Sequence, residues 1–335
     1  MAFPTETVYG LGADALNPKA VAHIFEVKRR PHFDPLILHV VNPRQAFSLW
    51  KEMPDPKVRR LIEAFWPGPL TIVLPKSKIV PDIVTSGLPT VAVRMPANEF
   101  ALNLIRALDH PIAAPSANLF GYTSPTRAQA VWEDLGTKIG LVLDGGPAHV
   151  GLESTVLKIE NGKAIVLRPG GVPVEKIRKF ITVVQIRKTK IKDFESPGLL
   201  KSHYAPRTLF VLMDRKIPSF IEQLKAWRSR LKGKNVRWPK VGILFFQKKA
   251  DRGLCTASET LTSKGDLCEA AANLFQAIRT LDKRGLDLMV AESVPERGIG
   301  LAIADRLKKA TAGHSGVELF FKNWYNKMQN PRGRK

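Results

Sequence analysis

Short apolar runs alternate along the chain with longer segments in which apolar residues recur every three or four positions. The first pattern is typical of buried or half-buried β-strands, and the second of helices that cover a sheet. Strands are predicted over residues 36–40, 70–74, 90–94, 112–114, 141–144, 154–159, 164–168, 208–213, 241–246 and 286–292. Helices are predicted within 13–30 and over 56–66, 98–108, 217–231, 267–282 and 299–311. The alternation predicts an α/β protein, with a mainly parallel sheet in its last third.

Two local signals sharpen this pattern. Asn17 followed by Pro18 is typical of a helix start, because Asn caps free backbone N–H groups and Pro suits the first turn. Asn161-Gly162, between two apolar runs, predicts a tight hairpin turn.

The chain length predicts two domains. A single hydrophobic core seldom serves 335 residues. Residues 181–195 lack apolar periodicity and are rich in Lys and Arg, and Ser196-Pro197-Gly198 follows them. We therefore place the linker in this region. The tail, residues 330–335, is basic and is predicted to be disordered.

Charge changes the picture of possible partners. The net charge is +22, and residues 201–335 hold 27 Lys and Arg against 12 Asp and Glu. Such an excess favours anionic partners such as RNA or phosphorylated substrates, although a basic, solvated surface has the same composition. The chain contains two cysteines, Cys255 and Cys268, which form no CxxC pair, so a disulfide framework and a structural zinc site are not expected. With no apolar run long enough for a bilayer and no leader pattern, we expect a cytoplasmic protein.

Three polar loops are candidate ligand sites. The stretch from Phe3 to Gly12 combines Pro, Thr and Gly, which allow close backbone approach and hydroxyl bonding to a ligand, but which also suit a turn after an edge strand. Residues 115–118 follow a predicted strand, where α/β proteins place ligands. Arg168 precedes two glycines and either reaches a phosphate or lies on the surface.

Taken together, these motifs resemble the Sua5/YrdC family of threonylcarbamoyl-AMP synthases. The resemblance covers nearly the whole chain. Its motifs are residues 4–11, 28–31, 36–39, 91–96, 116–118, 153–156, 168–170, 196–198, 203–206, 274–282 and 298–307. Each motif is modest alone, but their order is specific.

The resemblance implies a two-domain architecture. Residues 1–185 would form a YrdC-like twisted open α/β sheet with a central basic groove. Residues 186–206 would be a linker, 207–325 a smaller Rossmann-like accessory domain of the Sua5 type, and 326–335 a basic tail. The linker of such proteins folds over the catalytic cavity, so His203 and Tyr204 are expected to help close it.

The resemblance also implies the site residues. Its signature set is Lys28, Arg30, Ser116 and Asn118, expected to be catalytic. Threonine binding is expected from Thr7, His39, Arg94 and Thr155. ATP binding is expected from Lys28, Arg30, Asp34, Thr90, Ser116, Ser124, Arg168 and Tyr204. These cations and hydroxyls suit a carboxylate, a carbamate and a triphosphate.

The implied reaction joins L-threonine, bicarbonate and ATP into threonylcarbamoyl-adenylate and pyrophosphate. The product serves tRNA modification, so tRNA or a downstream threonylcarbamoyl-transferase complex would be an indirect partner. Mg²⁺ would be carried by ATP, because the sequence contains no carboxylate cluster to hold it. No other metal site and no membrane partner are expected.

Three departures from the family pattern stand out. Family members usually have a strand and a helix before the Pro-Thr-Glu-Thr stretch, so we expect either a truncated start or a missing sheet edge. Asp34 stands where many members carry Asn, and a carboxylate would repel a triphosphate unless it holds Mg²⁺ or turns away. Ser202 replaces a basic residue common before the His-Tyr pair.

Three alternatives remain open on sequence. The first is a basic protein that binds RNA, including tRNA, and has an inactive YrdC-like pocket; the net charge favours it, although no nucleic-acid signature is present. The second is a carbamoyl transferase of the hydrogenase-maturation type, which the absence of CxxC motifs disfavours. The third is a synthase impaired by its short N-terminus.

Overall fold

The structure, a computed structural model, describes residues 1–186, 203–213, 217–232, 238–247, 253, 255–312 and 317–329. The N-terminal strands are β1 (Ala2–Phe3), β2 (Gly10–Leu11), β3 (Ala13–Asp14), β4 (Ile37–His39), β5 (Leu70–Pro75), β6 (Thr90–Arg94), β7 (Ile112–Ala113), β8 (Thr155–Glu160), β9 (Lys163–Arg168) and β10 (Val183–Ile186). The helices between them are α1 (Pro18–Lys28), α2 (Pro43–Leu49), α3 (Pro56–Phe65), α4 (Asp82–Thr85), α5 (Glu99–Leu108), α6 (Ala128–Leu135) and α7 (Val174–Ile177).

Eight strands form one mixed, twisted sheet in the order β10-β9-β8-β5-β6-β4-β7-β3. β4 is parallel to β6, with His39 opposite Arg94, and β5 is parallel to β8, with Leu70 opposite Thr155. The pairs β5–β6 and β8–β9 are antiparallel. The ends of β4, β6 and β9 therefore meet the starts of β5 and β8 at one edge of the sheet, which brings together residues far apart in sequence.

β1 and β2 form a separate two-stranded ribbon next to this sheet. The backbone N–H of Ala2 donates to the carbonyl of Leu141 at 2.8 Å, and its carbonyl accepts from Leu143 at 2.9 Å. The predicted strand 141–144 is therefore reduced to an isolated bridge at Val142, because β1 offers only two residues for pairing.

The local signals are confirmed. The side chain of Asn17 accepts hydrogen bonds from the backbone N–H groups of Lys19 and Ala20 at the start of α1. Asn161 and Gly162 both have positive φ, as the turn between β8 and β9 requires. Apolar periodicity did not predict α2 and β10, because elements of seven and four residues are too short to produce a clear pattern.

The C-terminal part forms a four-stranded sheet in the order β11-β14-β12-β13, and every pairing is parallel, as predicted. Its elements are β11 (Phe210–Met213), α8 (Ile217–Leu231), β12 (Val241–Gln247), β13 (Ala257–Thr262), α9 (Leu267–Asp282), β14 (Leu288–Glu292), α10 (Gly300–Ala310) and α11 (Val317–Gln329). Residues of α9 and α10 cover one face, and residues of α8 and α11 the other. The pattern missed β13, which is largely polar, and α11.

The two parts share a core. Val8 and Leu152, from the N-terminal part, lie in the same buried cluster as Leu274 and Phe275 of α9. Among the residues that the structure describes, two buried ion pairs also join the parts: Arg279 of α9 with Asp134 of α6, and Arg306 of α10 with Glu153.

The expected linker falls mostly outside the described residues, because 187–202 are not among them; His203 to Pro206 are described. α11 continues to Gln329, within the expected tail, and 330–335 lie outside the described ranges. Within the described ranges, no helix combines the length and apolar character that a bilayer crossing requires.

Candidate functional site

A cavity opens at the edge of the large sheet where β4, β6 and β9 end. It encloses about 530 Å³, counting the part open to solvent. Its lining comes from eight separate stretches of the sequence: Thr5, Thr7, Val8, Gly10, Arg30, Ile37, His39, Arg94, Ala114, Pro115, Ser116, Glu153, Ser154, Arg168, His203 and Tyr204. The cavity therefore combines cationic, hydroxyl and apolar groups, and most of the charged ones are buried.

The loop between β1 and β2 forms one wall. The Thr5 hydroxyl oxygen accepts hydrogen bonds from the backbone N–H groups of Thr7 and Val8, at 3.1 and 3.2 Å, and lies 2.7 Å from the Thr7 hydroxyl. Gly10 bridges to Ser116 on the opposite loop. A Cβ atom at Gly10 would lie 3.2 Å from the ring of Phe3 and 3.3 Å from the Cβ of Ala114, so tight packing favours glycine here.

His39 and Arg94 lie side by side at the ends of β4 and β6. Burial, and then the charge of Arg94, lower the pKa of His39 well below its usual value, so the imidazole is neutral. One of its ring nitrogens lies 3.2 Å from the carbonyl oxygen of Ile37. The guanidinium of Arg94 lies 3.6 Å from the buried carboxylate of Glu6, which orients it.

Arg30 projects from the loop after α1 and is held from behind. Its Nε donates to the carbonyl of Asp34, and an Nη donates to the carbonyl of Pro35, both at 3.0 Å. The Asp34 carboxylate forms an ion pair with Arg30 at 2.9 Å, without the angles of a hydrogen bond. Asp34 therefore faces Arg30 and is not part of the cavity lining. Burial raises the pKa of Asp34, and the charge of Arg30 opposes this rise.

Arg168, Ser154 and Glu153 form the wall at β8 and β9. The Arg168 guanidinium donates to the Ser154 carbonyl at 3.1 Å, and the Ser154 hydroxyl lies 2.7 Å from that of Thr71. Glu153 accepts a hydrogen bond from Ser124 at 2.5 Å and one from Arg306 at 2.8 Å. Burial opposes ionisation of Glu153, but Arg306, Arg168 and these bonds lower its pKa to about 2.

Lys28 and Asn118 lie behind the cavity wall. The Lys28 ammonium donates to the carbonyls of Ser116 and Asn118. The Asn118 amide donates to the carbonyls of Leu119 and Tyr122, at 2.7 and 3.0 Å. Burial, and then the charge of Arg30, lower the pKa of Lys28 well below its usual value. Both residues hold the 116–122 loop that presents Ser116.

His203 and Tyr204 cover the cavity from the C-terminal side. Their rings are 4.1 Å apart, and the Tyr204 ring stacks on Phe275 of α9 at 5.4 Å. The His203 backbone N–H donates to the carbonyl of Lys309 in α10 at 3.3 Å. The two linker residues thus rest on the C-terminal domain while lining the cavity. Burial, with the charges of Arg30 and Lys28, lowers the pKa of His203 to about 3.

Of the predicted site residues, the structure brings seven to the cavity wall: Thr7, Arg30, His39, Arg94, Ser116, Arg168 and Tyr204. Ser124 touches the site only through Glu153. Thr155 is turned away, because its hydroxyl exchanges hydrogen bonds with the backbone of Val172 at 2.7 and 3.0 Å. Thr90 begins the strand that Arg94 ends, so about 13 Å of β6 separate it from the cavity edge. Thr90 and Thr155 therefore lie outside the cavity lining, and their contacts with a ligand stay predictions.

Sequence reasoning missed three functional side chains. Thr5 organises the first loop, Glu153 forms part of the wall, and Arg306 holds Glu153 from another domain. Glu153 and Arg306 both lie within motifs that carried the resemblance, at 153–156 and 298–307. The motifs therefore pointed to them, but no spacing in the sequence indicates that they pair.

The arrangement defines a class of site. Three guanidinium groups and several hydroxyls surround a partly closed space, which suits a ligand with separate anionic groups, such as a carboxylate and phosphates. Within the described ranges, no group of three or more His, Cys, Asp or Glu side chains is placed to hold a metal ion. The fold and the site together define a two-domain α/β protein with a cationic cavity that His203 and Tyr204, between the two domains, cover.

Comparison with known proteins gives the family. A family model described as "Telomere recombination" (Sua5_yciO_yrdC) matches residues 1–170, and one described as "Threonylcarbamoyl-AMP synthase, C-terminal domain" (Sua5_C) matches 172–312. The chain belongs to the Sua5/YrdC family, with the two-domain architecture of Sua5.

Two relatives and one solved structure are similar to this chain over about nine-tenths of their own length. The threonylcarbamoyl-AMP synthase of Pyrococcus abyssi is 44% identical over 93% of this chain and 90% of its own. That of Bacillus subtilis is 40% identical over 93% of this chain and 89% of its own. The crystal structure of P. abyssi Sua5 complexed with L-threonine superposes with a TM-score of 0.84 at 42% identity, covering 92% of this chain and 89% of that one.

Proposed function

We propose that this protein is a threonylcarbamoyl-AMP synthase, a nucleotidyltransferase that converts L-threonine, bicarbonate and ATP into threonylcarbamoyl-adenylate and pyrophosphate. The observation that carries the proposal is the convergence of Arg30, Arg94 and Arg168 on one cavity with the Thr7 and Ser116 hydroxyls. The near full-length similarity to synthases of this name supports it.

Threonine would bind where β4 and β6 end. The Arg94 guanidinium, held by Glu6, suits the carboxylate of the amino acid. Thr7 and the neutral imidazole of His39 can bond polar atoms without adding charge. Thr155 would not contact threonine directly; its hydroxyl would hold the backbone of Val172 behind the cavity wall.

ATP would bind along the wall formed by Arg30, Arg168 and Ser116. Two guanidinium groups offset the charge of the triphosphate, and Mg²⁺ enters with ATP as part of the substrate. Asp34 fixes the guanidinium of Arg30, and Ser124 fixes Glu153. Lys28 and Asn118 hold the loop that presents Ser116. Thr90 lies outside the cavity lining, so we assign it no contact with ATP.

The chemistry requires no protein nucleophile. The threonine amine captures carbon dioxide, which bicarbonate supplies, and forms a carbamate. An oxygen of the carbamate attacks the α-phosphate of ATP, a P–O bond forms, and the bond to pyrophosphate breaks. The protein contributes orientation and stabilisation of the developing charge by the three guanidinium groups.

His203 and Tyr204 would protect the product. Threonylcarbamoyl-adenylate is a mixed anhydride, so water in the pocket would destroy it. The two rings cover the cavity and are packed against α9 and α10. Such a cover excludes water during the reaction. The product would then pass, in the cytoplasm, to a threonylcarbamoyl transferase that acts on tRNA.

The test is pyrophosphate release from Mg-ATP by purified protein, with and without L-threonine and bicarbonate. We expect release that requires both. Arg30→Ala should lower it about 100-fold or more, because it removes a charged donor from the reacting phosphates. Lys28→Ala should lower it as well, by releasing the Ser116 loop.

Arg29→Ala is the matched control, because Arg29 lies between these two residues but is exposed to solvent. Its rate should stay within about twofold of the wild type. Release without any dependence on threonine, from a protein shown to be folded, would overturn the proposal. Retention of salt-sensitive tRNA binding in that protein would support the RNA-binding alternative.

A further inference from the structure

Arg306 is a buried cation of the C-terminal domain that the reaction as described does not use. It lies on α10, and its side chain is fully buried. Its Nε donates to Glu153 at 2.8 Å, and one Nη donates to Asp305 at 2.6 Å. Its guanidinium also lies 5.2 Å from the centre of the Tyr204 ring. One residue therefore touches two parts of the cavity lining, one on the sheet and one on the cover.

An ion pair that only joins the two domains would include no residue of the cavity lining, and the Arg279–Asp134 pair is an example. Arg279 of α9 binds Asp134 of α6 through two hydrogen bonds, at 3.0 and 2.5 Å, and also donates to the carbonyl of Thr123. It is nearly as buried as Arg306. Neither Arg279 nor Asp134 lines the cavity. The two arginines thus join the same domains, but only the Arg306 pair includes a cavity residue.

We propose that Arg306 is a positioning residue of the synthase reaction, through which the C-terminal domain sets the shape and charge of the substrate pocket. This inference rests on the proposed function for its kinetic readout. Arg306 holds the Glu153 carboxylate on the wall next to Ser154 and holds the Tyr204 ring over the opening. The accessory domain is thus part of the pocket support and not only an attachment.

The chemistry of Glu153 gives the reason. A buried carboxylate beside a binding site for anions weakens that binding unless its charge is compensated. Arg306 provides this compensation, together with Arg168 and the hydrogen bond from Ser124. Without Arg306, Glu153 would either repel the incoming phosphates or draw Arg168 away from them. In both cases we expect weaker nucleotide binding in addition to the loss of stability that follows removal of one partner of a buried ion pair.

Tyr204 provides the second link. Its backbone has positive φ, at 63°, a conformation that a non-glycine residue keeps only when its surroundings hold it. Arg306 on one side and Phe275 on the other form that surrounding, with the ring almost fully buried. Loss of the guanidinium would free the cover and admit water.

The experiment compares Arg306→Met, Arg306→Lys and Arg279→Met. Pyrophosphate release is measured against ATP and threonine concentration, and Mg-ATP affinity is measured by calorimetry; thermal unfolding reports stability. We expect Arg306→Met to raise the KM and Kd for ATP at least tenfold, and Arg306→Lys to restore part of the loss by supplying the charge. Arg279→Met should lower the melting temperature by a similar amount and leave KM and Kd within about twofold.

A fourth variant, Arg306→Met combined with Glu153→Gln, tests the charge argument. It should bind ATP more tightly than Arg306→Met alone, because the uncompensated carboxylate is gone. An equal loss of ATP affinity in Arg279→Met, or no loss in Arg306→Met, would overturn the proposal. If the wild type releases no pyrophosphate, the proposed function fails, and the Mg-ATP affinities of the same variants still decide the role of Arg306.

Discussion

Thr7 and Thr155 show how residues of one type take different roles at one site. Both are buried and both were expected to bind threonine. Thr7 lines the cavity, with its hydroxyl 2.7 Å from that of Thr5. The Thr155 hydroxyl donates to the carbonyl of Val172 and accepts from its N–H. These two bonds turn the hydroxyl toward the backbone and leave it one lone pair, so Thr155 supports the wall and does not line the cavity.

Replacement of each threonine by valine separates the two roles. Thr155→Val leaves the N–H and the carbonyl of Val172 without partners, so we expect a loss of about 1–3 kcal/mol in the free energy of unfolding. Its KM for threonine should change little. Thr7→Val should raise that KM about tenfold at a smaller cost in stability. Denaturant unfolding and steady-state kinetics measure both, and a larger KM change in Thr155→Val would contradict the assignment.

At the scale of elements, the contact between α9 and the segment before β8 depends on a glycine. Gly151 has φ of 73°, and a Cβ atom there would lie 2.4 Å from the Cα of Ala272. The contact places backbone against backbone, which only glycine allows. The next residue, Leu152, enters the core of the C-terminal domain, and Glu153 enters the cavity wall. Docking of α9 and formation of the wall are therefore one structural event.

Gly151→Ala should lower the free energy of unfolding by about 3 kcal/mol or more, because it adds both a clash and a left-handed alanine. Gly162→Ala is the matched control. Gly162 has φ of 65° in the β8–β9 turn, and its Cβ position is open, so only the backbone term of about 1–2 kcal/mol applies. Equal losses of unfolding free energy in the two variants would show that the backbone of α9 is not in close contact with Gly151 in solution.

At the scale of the whole molecule, a buried histidine at the domain junction makes the free energy of unfolding depend on pH. His203 is buried between the domains and has a pKa of about 3, whereas an unfolded histidine titrates near 6.5. Below pH 6.5 the unfolded chain therefore binds a proton that the folded chain does not bind until about pH 3. By linkage, stability falls as the pH decreases through this window.

We expect this one group to cost about 3 kcal/mol of folding free energy between pH 7.5 and 4.5. His203→Asn should remove that part of the pH dependence, so its unfolding free energy should fall less steeply toward acid than that of the wild type. His149→Asn, at an exposed histidine, should follow the wild-type curve. Parallel curves for His203→Asn and the wild type would show that His203 is not buried in its neutral form.

Site residues in short motifs could be predicted from the sequence, whereas positions that depend on strand geometry could not. Arg30, His39, Arg94 and Ser116 belong to short motifs at strand ends or loops, and the sheet topology gathers them as expected. Thr90 shares a motif neighbourhood with Arg94 but lies at the far end of β6, because a strand separates its ends by about 3.3 Å per residue. The family resemblance assigned Thr90 and Arg94 to the same site, but the length of β6 places only Arg94 at the cavity.

By itself, the sequence determined the family, the α/β class, the parallel C-terminal sheet and the signals that begin α1 and turn the β8–β9 hairpin. These depend on local backbone preferences and on apolar periodicity, which neighbouring residues encode. Tertiary structure alone decided that Asp34 turns to Arg30, that Thr155 faces Val172, and that Arg306 reaches Glu153 across 153 positions. Burial and side-chain pairing depend on three-dimensional position, so residues distant in the chain acquire their roles only when the fold brings them together.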